Sequence, residues 1–405
     1  MLDSQVMSFA TGRTYNRFKQ DLENHQELVE SHIKGKRVLV IGGAGSIGSA
    51  TVRELIRNKP KALHVIDHNE NQLVELVRDL RSEEEDFTIC DFLALAIDFG
   101  SPIMSRLIRE QPPYDLVMNF AAVKHVRSEK NVLSILQMFE TNVLKPAQLL
   151  SWMAEKRNSC RIFFVSTDKA ANPVNLMGAS KRLMEHVLLS RNRAEGFDNI
   201  LTSARFANVA YSEGSLLKSW IFRLEKKQPI AVPKNTKRYF ISLAESGTLC
   251  LLACTCLPDR HILYPILDPE NDSRNLLDIA IAFIRHFGFE PILYDSEEEA
   301  KRSTKSIAEG KYPVLLTDLN TSGEKDQEIF YNENEETRDI GFSSLRAIHY
   351  VSIPPKKVEE AIRFFDDIKK NIDRKISKKE IIVFLSDILP EFRHLETGRN
   401  LDDRL

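Results

Sequence analysis

The chain has 405 residues, 42% hydrophobic and 28% charged, proportions that suit a folded core and exclude wholesale disorder. Its 56 Lys+Arg against 58 Asp+Glu give a formal net charge of −2, which excludes the broad basic face of a nucleic-acid or membrane-surface binder. Five cysteines, an odd number in so long a chain, fit a reducing compartment. No apolar run approaches the roughly 20 residues that cross a bilayer, and the polar N-terminus is not a secretory signal. The expectation is a cytoplasmic protein without membrane insertion.

Residues 14–33 are polar and rich in helix formers up to Gly35, and predict an exposed helix within a helical extension over 1–35. Arg37–Ile41 is then a short β-branched run bounded by glycine, and 47–58 has helical spacing with a stop at Pro60. The strand pattern recurs at 63–66, 93–97, 116–120, 161–165 and 200–206, with helical stretches between, 71–81 and 180–193 among them. Short buried strands alternating with helices predict right-handed βαβ units and an α/β fold. Its core is a doubly wound parallel sheet of Rossmann type over 36–210.

After Asn208 the alternation breaks down. Residues 211–340, with a charged stretch at 296–305, predict a smaller mixed α/β substrate-binding part whose chain returns to the larger domain around 238–265. Cys250, Cys254 and Cys256 fall in the apolar run 249–257 and read as buried helix thiols, so no metal is expected. Two amphipathic stretches, 355–370 and 378–392, predict a C-terminal helical extension over 341–405.

The first strand runs directly into Gly42-Gly43-Ala44-Gly45-Ser46-Ile47-Gly48. Both Gly43-x-Gly45-x-x-Gly48 and Gly42-x-x-Gly45-x-x-Gly48 fit dinucleotide fingerprints. Glycines allow the tight turn and the approach of a pyrophosphate, and the helix N-terminus offers its free N–H groups to the anion. Asp67 ends the second strand 19 residues after Gly48, where a carboxylate accepts from ribose hydroxyls. That favours NAD over NADP, a preference softened by His68. Asp98, after the third strand, is placed to meet the adenine amino group. Ala121 and Ala122, after the fourth, would let the backbone lie along the cofactor.

The fifth strand ends in Ser166-Thr167-Asp168-Lys169, and Met177-x-x-x-Lys181 follows. Short-chain dehydrogenases place Ser or Thr here and then Tyr-x-x-x-Lys, whose four-residue step puts both side chains on one helical face. Met177 stands at the tyrosine position and cannot transfer a proton.

The string 166–181, STDKAANPVNLMGASK, resembles the signature of the CapD-like polysaccharide-biosynthesis proteins, extended short-chain dehydrogenases that include UDP-N-acetylglucosamine 4,6-dehydratases. Ala121-Ala122-Val123-Lys124-His125-Val126, Glu140-Thr141-Asn142-Val143, Arg205-Phe206-Ala207-Asn208-Val209, Arg238-Tyr239-Phe240 and Gly323-Glu324-Lys325 continue the likeness in family order. It runs from about 36 to about 330, and the 395–405 end shares the family's flavour. Many members carry methionine in place of tyrosine and remain active. From the resemblance and the length of the chain, a soluble short form is expected, one lacking the membrane-spanning N-terminal domain of long relatives.

The resemblance implies a lyase that oxidises carbon 4 of a nucleotide-diphosphate sugar by transient hydride transfer to NAD, removes the carbon 5 proton, expels the carbon 6 hydroxyl and returns the hydride to carbon 6. By family analogy Asp168 is the acid and Lys169 the base. Thr167 and Lys181 assist the oxidation, and Lys181 also holds the nicotinamide ribose. An acid that keeps its proton and a lysine that sheds one at neutral pH both need burial and suitable neighbours. On the substrate side, Arg238 matches a phosphate-gripping arginine, Asn208 an asparagine beside it, and Lys124, His125 and Glu324 are sugar or nucleotide contacts.

Thr321-Ser322 replaces the family's Arg-Pro before Gly323, and Tyr211 and Glu213 are expected in a loop facing the sugar, so a different hexose or nucleotide stays open. Two other readings stay open too: a nucleotide-sugar epimerase or oxidoreductase on the same scaffold, and a non-catalytic dinucleotide-binding sensor. A homodimer or higher homo-oligomer is expected through the helices near 132–154 and 180–190.

Overall fold

The apolar runs form one sheet in the computed structural model, which describes residues 3–83, 89, 91–124, 129–156, 159–190, 199–318 and 328–395. Strands β1 (Arg37–Ile41), β2 (Ala62–Asp67), β3 (Asp91–Ala96), β4 (Leu116–Asn119), β5 (Arg161–Val165) and β6 (Ile200–Ala204) pair in the order β3–β2–β1–β4–β5–β6, all parallel. Strand order reverses between β1 and β4, and that switch opens a crevice beyond their carboxyl ends, where ligands of doubly wound sheets lie.

Alternate residues of each strand feed opposite cores. Leu39, Ile41, Val117, Ile162 and Phe164 join one apolar cluster, and Val38, Val40, Leu116, Met118, Phe163 and Val165 join the other. Both faces are therefore covered by helices, which explains why these strands read as continuous apolar runs.

Beyond β6 the sheet adds the parallel strand His261–Pro265, then Leu345–His349 and Glu336–Arg338 in antiparallel pairing. The expectation of a purely helical 341–405 is corrected here, since Leu345–His349 lies in the main sheet. Five residues flanked by loops carry too short a pattern to separate from a turn. The two C-terminal helices span Pro355–Lys370 and Lys378–Ile388.

Between β6 and the sheet edge, two small sheets form. One joins Asn208–Val209, Lys237–Ile241 and Ser273–Asn275, and the other Ile230–Pro233, Lys311–Thr317 and Glu290–Tyr294. They share an apolar core that includes Tyr211, Trp220, Phe283 and Tyr312. Tyr211 is buried in that core at a left-handed φ of 56°, so it does not face the site as expected. Cys250 and Cys254 are buried in helix Leu243–Thr255, and Cys256 caps its end.

The N-terminal segment is three helices, Ser4–Thr11, Lys19–Asn24 and Gln26–Ile33, and is not an exposed extension. Phe18, Val29 and Ile33 are fully buried, and Arg13 forms an enclosed ion pair with Glu245 at 2.7 Å. A few apolar anchors in a polar sequence were enough to dock it. The faces expected to meet a second subunit are partly taken by the chain itself. Every residue of helix Leu176–Leu189 is buried, Phe139 stacks on Phe365 at 4.1 Å, and Lys369 pairs with Glu140 at 2.9 Å. No helix among the described residues is long and apolar enough to cross a membrane.

Candidate active site

Two cavities of about 410 and 380 Å³ share Gly42, Gly45, Phe120 and Ala122 in their walls, and the glycine turn divides them. Gly42 has φ of +71°, and a side chain there would put its Cβ 2.5 Å from the Ala121 nitrogen. At Gly48 a Cβ would lie 2.2 Å from the Gly42 carbonyl oxygen, so only glycine lets helix Ser46–Arg57 seat on the turn. At Gly45 a Cβ would meet only the Gly42 carbonyl oxygen, at an ordinary van der Waals distance of 3.5 Å. This N-cap position has no side-chain hydrogen bond, and Ser46, Ile47 and Gly48 line the larger cavity. An uncapped helix start under an open turn suits a pyrophosphate.

The smaller cavity holds Asp67, His68, Asp98, Ala121 and Ala122. Asp67 is buried and accepts the backbone N–H groups of Ala44 and Asn69, each at 3.0 Å, which fixes its carboxylate at the β2 end. Asp98 has its oxygens on Lys145 Nζ at 2.6 and 2.8 Å. Burial pushes its carboxyl up, but Lys145 and the Gly100 N–H hold it below the usual carboxylate range. Lys145 is thus a cavity residue that sequence reasoning missed, and the Asp98 carboxylate expected to meet an adenine amino group is already engaged by it.

The larger cavity collects Thr167, Asp168, Lys169, Met177 and Lys181, together with Lys124 and Asn208. After β5 the chain makes a 3-10 turn over Asp168–Ala170. Asp168 is 3% exposed, so it is no solvated helix start. The Thr167 hydroxyl donates to its Oδ1 at 2.7 Å, and Lys169 Nζ lies 3.3 Å from the same oxygen. Asn175 caps helix Leu176–Leu189 through the Gly178 N–H at 2.7 Å, which sets Met177 and Lys181 on the cavity side. Lys181 Nζ donates to the Val165 carbonyl at 2.9 Å. Burial lowers its pKa to about 8, with Glu185 opposing. Lys124 is likewise pushed down by burial against the pull of Glu213.

A π-helical turn, Glu140–Leu144, aims Asn142 at the backbone of Val123, and its amide closes both the N–H and the carbonyl there at 2.9 Å. Ser166 donates to Glu185 at 2.6 Å, and Arg205 grips Glu185 and Glu335 with four hydrogen bonds of 2.7–2.8 Å.

Glu328 was not foreseen. It accepts from Asn208 Nδ2 at 2.7 Å and lies 3.6 Å from Arg238 Nε, so Arg238 reaches the cavity residues through it. Its signal was its place three residues after the Gly323-Glu324-Lys325 element. Glu129, also missed, accepts the backbone N–H of Met177 at 3.0 Å. His125, Glu324 and the Thr321-Ser322 departure lie outside the described residues.

The family described as "Polysaccharide biosynthesis protein" matches residues 38–342. An uncharacterized membrane protein of Methanocaldococcus jannaschii is 30% identical over 76% of this chain and 93% of its own length. The capsular polysaccharide biosynthesis protein CapD of Staphylococcus aureus is 30% identical over 58% of this chain, which spans 38% of CapD. Among solved structures, Pen from Bacillus thuringiensis superposes with a TM-score of 0.63 at 21% identity, covering 89% of this chain and 98% of Pen, a likeness of fold.

Proposed function

The chain belongs to the CapD-like polysaccharide biosynthesis family, and from that premise we propose that it is an NAD-dependent nucleotide-sugar 4,6-dehydratase. One observation carries the reading: an enclosed hydroxyl–carboxyl–amine cluster, Thr167, Asp168 and Lys169, shares a cavity with Lys181 and a glycine turn that fits a dinucleotide. Bound NAD would supply the hydride acceptor at carbon 4 of the sugar and the donor at carbon 6.

The chain's own residues handle protons and position. Gly42, Gly45 and Gly48 with the Ser46–Ile47 amides hold the pyrophosphate, Asp67 the adenosine ribose, and Lys181 the second ribose. His68, Asp98, Ala121 and Ala122 complete the adenosine wall. With methionine at 177, the carbon 4 hydroxyl proton leaves through Thr167, whose own hydrogen bond passes it to Asp168. Lys181, held near 8, is partly neutral at physiological pH and assists. Lys169 removes the carbon 5 proton, Asp168 protonates the departing carbon 6 hydroxyl, and a solvent-exchanged proton returns to carbon 5. Lys124, Asn208 and Arg238 take the sugar diphosphate, with His125 and Glu324 as further candidates.

Incubation with UDP-N-acetylglucosamine and a panel of other nucleotide sugars in heavy water tests this. A 4-keto-6-deoxy product, lighter by one water and carrying deuterium at carbon 5, is expected. Unchanged substrate across the panel refutes the enzyme. Products that keep the carbon 6 hydroxyl point to an epimerase.

A further inference from the structure

Asp98 and Lys145 face each other in the wall of the smaller cavity, the first just beyond β3 and the second opening helix Lys145–Glu155. The Asp98 side chain is 49% exposed, and an ion pair so open to water adds little to stability. The chain nevertheless fixes the lysine closely. Its own side chain is 12% exposed. The stem crosses Gly100, where a Cβ would come within 2.4 Å of the lysine Cγ and 2.5 Å of its Cδ, so a side chain at 100 would push it aside. The ammonium stands 5.7 Å from the centroid of the Phe99 ring. Held over a glycine and against an aromatic ring, Lys145 keeps its charge at the cavity wall.

The hydrogen bonds already made leave one acceptor and one donor side by side. Asp98 Oδ1 accepts the Gly100 N–H and Lys145 Nζ, each at 2.8 Å. Oδ2 accepts Nζ alone among the described residues, at 2.6 Å, and keeps a lone pair. An ammonium has three protons, and two of them go to these oxygens, so one remains. Adenine offers the complement, an N6 amino donor beside the N1 acceptor, whereas hypoxanthine and guanine reverse it with a carbonyl oxygen beside an N–H. Ile66, Ile97, Ala121 and Val123 in the same wall give such a ring apolar surface. We propose that Lys145 determines base specificity together with Asp98: the carboxylate accepts from N6 and the ammonium donates to N1 of the adenine of NAD. This deepens the cofactor reading and rests on it. Asp98 alone would accept from any amino or N–H group. With the ammonium beside it, a reversed edge sets carbonyl oxygen against carboxylate and N–H against ammonium, so the site rejects that base by repulsion as well as by lost bonds.

Titration calorimetry of the full chain compares its affinity for NAD with that for nicotinamide hypoxanthine dinucleotide, which differs only at the base edge. Wild type is expected to bind NAD at least about tenfold more tightly. Lys145→Met is expected to bind NAD more weakly and the analogue no worse, since the freed Asp98 carboxylate can then accept the hypoxanthine N–H. Its preference should fall to about threefold or less. Asp98→Asn should lose the preference too, because an amide turns to present either its oxygen or its amino group. A wild type that binds both dinucleotides alike, or a Lys145→Met variant that keeps the full preference, overturns the inference and leaves NAD binding intact. Should Lys145→Met fail to fold, a preference kept in Asp98→Asn overturns it equally. Binding of neither dinucleotide removes the cofactor reading and the inference with it.

Discussion

Replacing Lys181 by methionine should stabilise the protein at pH 7 while abolishing its activity. Burial holds this lysine near 8 against an ordinary value of 10.5, with Glu185 only partly compensating. At 1.36 kcal/mol for each pKa unit, keeping it charged in the fold costs about 3 kcal/mol. Methionine fills much the same channel but leaves the Val165 carbonyl without the 2.9 Å bond, a loss of about 1 kcal/mol. The net gain is about 2 kcal/mol. Its pH dependence identifies the cause. A lysine whose folded pKa is depressed destabilises fully below the folded value, and the penalty is relieved as pH rises from about 8 to 10.5. Urea denaturation followed by the fluorescence of Trp152 and Trp220, at pH 7 and pH 10, reads both ends of this window. A variant less stable than wild type at pH 7, or a gain equally large at both pH values, refutes the reasoning.

Arg205→Met should cost about 3–5 kcal/mol, measured as a fall in Tm, because two enclosed glutamates lose a guanidinium that is itself fully buried. Burial pushes Glu335 up, but Arg205 overrides it and holds the carboxyl at about 2. The stability this supplies is present above pH 4.5 and lost as pH falls toward 2, so Glu335→Gln should flatten the acid limb of a stability–pH curve. Gly48→Ala forces a Cβ to within 2.2 Å of the Gly42 carbonyl and should weaken NAD binding at least about tenfold by calorimetry, and unchanged affinity would contradict the role of the turn. Asp168→Asn should cut dehydration by about 10²–10⁴-fold with NAD affinity preserved, read by mass spectrometry of the product.

Local patterns announced the cofactor half of the site because its parts are adjacent in sequence. A β-branched run, a glycine turn and a carboxylate at the next strand end need no tertiary information to be seen, and Arg37–Ile41, Gly42–Gly48 and Asp67 stand where that pattern puts them. Thr167, Asp168, Lys169 and Lys181 share one cavity for the same reason, since a strand end and one helical turn fix their spacing. Glu328 and Lys145 were hidden because their partners are 120 and 47 residues distant, as with Asn208 and Asp98. Tyr211 was misplaced because an aromatic in the short stretch between Asn208 and Gly214 reads equally well as a contact or as core. Its burial depends on Trp220 and Phe283, which no local pattern ties to it.

Far-off segments also fix the loop that carries the proposed acid and base. Between Asp168 and Met177 the backbone is held at four points. Asn332 donates to the Ala171 carbonyl at 3.2 Å, the Arg393 and Leu395 N–H groups bond the Pro173 and Val174 carbonyls at 3.0 and 2.9 Å, and Glu129 takes the Met177 N–H at 3.0 Å. Glu391 pairs with Arg182 on the helix below, and His394 lies 3.6 Å from Glu129. A loop of irregular backbone is ordinarily the part of a fold most prone to open locally. Here the C-terminal segment crosses it like a strap, and the Arg205 network anchors Ser166 at its start through Glu185. Chemistry that alternates proton removal and delivery within one cavity needs its groups fixed to within a fraction of an ångström. Residues 391–395, which follow the second C-terminal helix, therefore brace by position the loop that carries the proposed acid and base.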